Sequence, residues 1–108
     1  MEDYEEQYIE LVQKFCKEID QTEMIKFIIG LRDRNIPFKA HTMENGLQVY
    51  GSGWDVICNA YSYGHEQGLL EILAKFVDTE DRIFVGNADE ILALFDKWKE
   101  KENAYTCS

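Results

Sequence analysis

The chain is short of positive charge, of proline and of cysteine, and each shortage excludes something. Eleven Lys and Arg stand against 21 Asp and Glu, a net charge of −10. Binding to a polyphosphate needs the opposite sign, because cations must displace the counterions of the phosphate backbone. Direct binding to DNA or RNA is therefore not expected, nor is attachment to an anionic membrane surface. Pro37 is the only proline, so most turns fall to Gly, Asn, Asp and Ser. Cys16, Cys58 and Cys107 are odd in number and form no C-x-x-C pair, which gives neither a disulfide framework nor a zinc cluster. No apolar run approaches the ~20 residues that span a bilayer. The opening MEDYEEQYIE is acidic where a secretion signal is basic and then apolar, so a cytoplasmic location is expected.

What is present is ordinary for a globular domain: 45% hydrophobic and 30% charged residues over 108 positions. A chain of this length buries roughly two-thirds of the surface it exposes when unfolded, enough for one core. The acidity is uneven. Residues 1–23 carry a net charge of −6, and the remaining 85 carry −4. Such a surface suits a basic protein partner, for example one that handles nucleic acid, or no partner at all, and it also favours solubility.

Periodicity gives the elements. Tyr4, Tyr8, Val12, Phe15 and Ile19 recur at three- and four-residue steps, predicting a first helix over about 4–19. Asp20 with Glu23 has capping-box spacing and opens a second helix, with Met24, Phe27, Ile28 and Leu31 inward. That helix stops near Arg34-Asn35, before Pro37. PFKAHTM and LQVYG alternate as strands around Asn45-Gly46, a strong hairpin signal. After Gly51-Ser52-Gly53, WDVICNAYS reads as a third strand. A third helix, with Leu69, Ile72, Leu73 and Phe76 inward, is expected next, then the short strand RIFVG. Asn87 and Glu90 form another capping box, opening a last helix with Ile91, Leu94, Phe95 and Trp98 inward. The expectation is an α+β fold of order ααβββαβα. It has a small, mostly antiparallel four-stranded sheet with helices on one face, the fourth strand reached by a right-handed crossover that can place it parallel to the third. Residues 1–102 form a single domain in this reading, with an acidic helical part at 1–34 and a sheet–helix part at 36–102. Residues 103–108 are expected as a flexible tail.

The stretch WDVICNAYSYGHEQGLLEIL, Trp54 to Leu73, concentrates polar chemistry. Most of it is explained as a strand running into a helix. Ser62 would cap the helix, Gly64 would adopt a backbone shape other residues avoid, and Glu66 would suit the positive helix end. SYGHEQG lacks the Gly-Lys-Ser/Thr ending of a phosphate loop, and Gly64 with Gly68 is too little for a dinucleotide fingerprint. No cofactor is therefore expected. Cys58 with His41 or His65 could form a nucleophile–base pair. However, Cys58 shares a face with Val56 and Ala60, the expected core face. His41, His65, Asp55 and Glu66 have no recognised metal-ligand spacing, so no metal site and no catalytic set are assigned. The candidate binding corner is Asp55, Ser62, Tyr63, Gly64, His65, Glu66 and Glu71. The candidate partner-facing surface of the first helix is Glu5, Glu6 and Glu10.

Asp55, Ile57 and Cys58, then Ser62-Tyr63-Gly64, then Gly68-Leu69-Leu70-Glu71, together resemble a pattern in short uncharacterised proteins of phages and prophage-like elements of Firmicutes. The resemblance spans about residues 36–96. It implies a phage-associated neighbourhood inside a bacterial host and no specific chemistry. Joined to the charge, it gives the expected function: a non-enzymatic, acidic protein-interaction module, monomeric or homodimeric, that binds or inhibits a host protein in the manner of an anti-restriction or anti-CRISPR factor. The alternative is a small enzyme, or a small-ligand or anion-binding domain, using Asp55, Tyr63, His65 and Glu71.

Overall fold

The computed structural model describes residues 19–106, with side chains through residue 100. The helix expected over 4–19, with Glu5, Glu6 and Glu10, lies outside the described residues apart from Ile19, which is buried. Helix α1 spans Thr22–Asp33 and helix α2 spans Ala88–Thr106. Between them run β1 (Lys39–Met43), β2 (Gly46–Gly51), β3 (Trp54–Cys58), β4 (Leu70–Ala74) and β5 (Ile83–Gly86), with one short 3-10 turn at His65–Gln67. The five strands form one sheet in chain order, every neighbouring pair antiparallel. The fold is α+β, but with five strands rather than the four expected.

The difference lies in LLEILA. Its apolar pairs Leu69-Leu70 and Ile72-Leu73 satisfy a helical stripe and a strand alternation equally well, an ambiguity inherent to short apolar runs. In the structure Leu70, Ile72 and Ala74 are buried while Leu73 is 48% exposed. The expected third helix is therefore a strand, and the expected crossover is absent. β4 instead pairs with β3 and β5, satisfying backbone groups along both of its edges. Likewise α2 reaches Thr106, into the segment expected as a tail from residue 103.

Local chemistry fixes the other boundaries. The β1–β2 hairpin turns on Glu44 and Asn45, both at positive φ (50° and 62°), as a two-residue turn of the right twist requires. The turn therefore sits one residue before the Asn45-Gly46 pair that signals it. Gly46 opens β2, where a Cβ would collide with the Cys58 carbonyl. Helix α1 ends in a Schellman motif: the Ile36 amide donates to the Leu31 carbonyl (2.9 Å) and the Asn35 amide to the Arg32 carbonyl (3.0 Å), with Asn35 at φ 56°. The Asn87–Glu90 box closes reciprocally, with bonds of 3.0 and 2.9 Å. The Asp20–Glu23 box does not form. Asp20 accepts from the Thr22 amide and hydroxyl, while Glu23 Oε1 accepts from the Ala88 amide at 2.9 Å, tying the start of α1 to the start of α2.

One face of the sheet is apolar. Leu47, Val49, Trp54, Val56, Cys58, Leu70, Ile72 and Ala74 form a single buried cluster with Met24, Phe27, Ile28 and Leu31 of α1 and Ala88, Ile91, Leu92 and Phe95 of α2. Leu92 is buried, while Leu94 and Trp98, both expected inward, are only partly so. Phe27 and Phe95 both meet the Trp54 ring edge-on, at 6.0 and 5.0 Å. Gly30 lets the helices approach, since a Cβ there would run into Leu92. Among the described residues no helix is long and apolar enough to cross a membrane.

Candidate functional site

The opposite face of the sheet carries the polar residues. Strand alternation and register place His41, Gln48, Tyr50, Asp55, Ile57, Glu71, Leu73, Ile83 and Val85 there. The loop from β3 to β4 folds against this outer face, and its shape follows from two buried polar side chains. Asn59 Oδ1 accepts from the Tyr61 and Ser62 amides, both at 2.9 Å. Ser62 Oγ accepts from the Asn59 amide at 2.9 Å and donates to the Asn59 carbonyl at 3.1 Å. Ser62 thus closes a turn on Asn59 rather than capping a long helix. The same turn directs Tyr61 and Tyr63 outward, to 79% and 68% exposure.

Gly64 sits directly over the sheet. Its φ is +83°, and a Cβ would come within 2.6 Å of Val85 Cγ1 and 3.0 Å of Leu69 Cβ. It needs both the left-handed backbone and the missing side chain, as expected for this position. His65 Nδ1 lies 2.6 Å from the Ser62 carbonyl. A carbonyl only accepts, so Nδ1 carries the proton in that contact. Glu71 Oε1 accepts from the Tyr63 amide at 2.9 Å. Glu66 is exposed at the start of the 3-10 turn. Asp55 Oδ2 accepts from Gln48 Nε2 at 2.9 Å, while its Oδ1 is shut off from solvent with no hydrogen-bond partner among the described residues.

The corner singled out in the sequence is therefore spatially real in part. Tyr63 and Glu71 are joined, Ser62 and His65 are joined, and Asp55 and Glu71 occupy the same face on neighbouring strands. Three of its polar groups serve the chain itself: Glu71 and His65 hold the loop, and Asp55 holds Gln48. Cys58 is buried in the core cluster, and His41 lies on the other face against Tyr50, at 5.6 Å between rings. Those two cannot act as a nucleophile–base pair. Among the described residues no three of His, Cys, Asp and Glu converge as metal ligands.

A second cluster escaped the sequence reading. The β4–β5 turn and α2 enclose a hollow of about 510 Å³ lined by Lys75, Phe76, Asp78, Arg82, Leu94, Lys97 and Trp98. The signal lay in two lysine–aromatic pairs, Lys75-Phe76 and Lys97-Trp98. They are 22 positions apart, and assigning Phe76 to a helix face concealed their meeting. Phe76 and Trp98 stack, 4.9 Å apart and 13° from parallel.

No family model, no curated protein and no solved structure matches this chain.

Proposed function

We propose that this chain is a non-enzymatic protein-interaction module whose partner presents a basic surface. The observation that carries the reading is the set of large hydrophobic side chains exposed to water: Tyr61 and Tyr63 on the β3–β4 loop and Leu73 on the outer face of the sheet. Tyrosines on a braced loop are effective interface anchors, because they offer large amphipathic area at low entropic cost. The Asn59–Ser62 bonds and the Glu71–Tyr63 bond supply the bracing. Asp55, Glu66 and Glu71 lie around these anchors, and the net charge of −10 would draw a basic partner from a distance. In this reading Glu5, Glu6 and Glu10 add to that long-range attraction. The proposal extends to the biological setting implied by the resemblance: an accessory protein of a phage or other mobile element, acting in the cytoplasm of a bacterial host. There it would occupy the basic groove with which a host enzyme holds nucleic acid.

The alternative, a catalytic or anion-binding corner, has polar density in its favour but must contend with the internal duties of Asp55, His65 and Glu71. The test compares host proteins retained by the wild-type chain with those retained by a Tyr61→Ser/Tyr63→Ser variant. Both tyrosines are exposed, so the variant folds. The proposal expects a basic protein that is retained by the wild type, released by salt and lost from the variant. Identical retention by both chains would overturn it.

A further inference from the structure

We propose that the hollow between the β4–β5 turn and α2 is a small-molecule site for a nucleoside monophosphate, in which a sugar joins a phosphate monoester to a planar base. The first observation is the placement of charge. Acids outnumber bases by 21 to 11, so carboxylates are the abundant partner for any cation in this chain. Lys75, Arg82 and Lys97 nonetheless converge on one cavity whose lining contains a single carboxylate, Asp78, and none of the three makes an ion pair with a described residue. The local balance is +2, matched to a phosphate monoester dianion.

The second observation is that Arg82 is held in place. It has φ +62°, a conformation uncommon for a side chain of its size. Its Nη1 donates to the carbonyls of Lys75 and Val77 at 3.2 and 3.1 Å. Its Nε and Nη2 make no hydrogen bond to a described residue and can meet a ligand, with little orientational freedom left to lose on binding. The third observation is the aromatic series. Trp54, Phe95, Phe76 and Trp98 follow one another at 5.0, 5.0 and 4.9 Å, from the core to the cavity wall. Trp98 ends the series as a half-buried ring braced from behind, a platform on which a planar ligand ring can stack. The volume, about 510 Å³, falls within the ~300–1,000 Å³ of small-molecule sites. A free nucleotide makes one phosphate contact rather than many, so such a site is compatible with weak affinity for nucleic acid.

The chain has two tryptophans, Trp54 in the core and Trp98 at the cavity, so its NMR spectrum has two indole N–H signals. Trp98→Phe identifies the cavity signal, and the Trp54 signal reports that each variant is folded. Titration with adenosine monophosphate should shift the Trp98 signal saturably and leave that of Trp54 in place. Adenosine, lacking the phosphate, and inorganic phosphate, lacking the ring, should each bind at least about tenfold more weakly. Lys75→Gln/Lys97→Gln, changed at two exposed positions, should weaken adenosine monophosphate by a similar factor. No Trp98 shift up to about 10 mM nucleotide, a regime of very weak binding, would overturn the proposal. So would equal affinity for adenosine, for inorganic phosphate or for the double lysine variant.

Discussion

At the scale of single residues, two positions make the account quantitative. Gly64 combines a positive φ with a 2.6 Å approach to Val85. Gly64→Ala should destabilise the fold by about 2–3 kcal/mol, the sum of backbone strain and a displaced neighbour. The urea midpoint at constant slope is the measurement, and a loss below about 0.5 kcal/mol would show that the loop does not rest on the sheet as described. Arg34 grips Asp96 through two bonds of 2.8 and 3.0 Å. The hydrogen bond from Arg34 holds the Asp96 carboxyl below the usual aspartate range. A carboxyl lowered in the folded state adds stability above its unfolded value near pH 4, and that stability is lost as pH falls through the folded value. Because the pair is substantially exposed, its worth is about 0.5–1 kcal/mol. Asp96→Asn should lower stability by that amount at pH 7 and make the variant less sensitive than the wild type to acid below about pH 4.

At the scale of elements, β4 separates what the sequence could show from what it could not. Where one local signal dominates, element and reading agree. Asn35 before Pro37 stops α1, Asn87 with Glu90 starts α2, and alternation marks β1, β2 and the start of β3, which ends at Cys58 rather than running to Ser62 because Asn59 and Ser62 bond to each other in a turn. β4 has no such signal, because its doubled apolar pairs fit two periods, and only the vacant edges of β3 and β5 decide between them. The capping pairs teach the same lesson. Asn87–Glu90 closes because no other described donor takes the Glu90 carboxylate, whereas Glu23 is drawn away by the Ala88 amide 65 residues on. The candidate sites divide in the same way. Gly64 and the Tyr63–Glu71 corner lie within one stretch of chain and were visible there. The Lys75/Arg82/Lys97 hollow exists only once the hairpin and the last helix are juxtaposed. The strand itself is testable by two adjacent substitutions. Ile72 is fully buried, so Ile72→Ala should cost about 2–4 kcal/mol. Leu73 points outward, and Leu73→Ala should cost less than about 1 kcal/mol. Comparable large losses at both positions are what a helix with both residues inward would give.

At the scale of the whole molecule, the sheet separates two environments. One face and the two described α-helices form the core, and the other face, with the Asn59–Leu69 loop, presents tyrosine, leucine and carboxylates. Charge and contact should then divide the kinetics of association. Distant acids act on the encounter and are screened beyond about 8 Å at physiological salt, whereas buried anchors act on the lifetime of the complex. Reversal of Glu5, Glu6 and Glu10 to Lys should slow association with the captured partner and flatten its salt dependence. The most direct measurement is the dissociation rate of that complex for the wild type and for Tyr61→Ser/Tyr63→Ser. The account predicts dissociation at least about tenfold faster for the variant, with an association rate close to that of the wild type. An unchanged dissociation rate would contradict it.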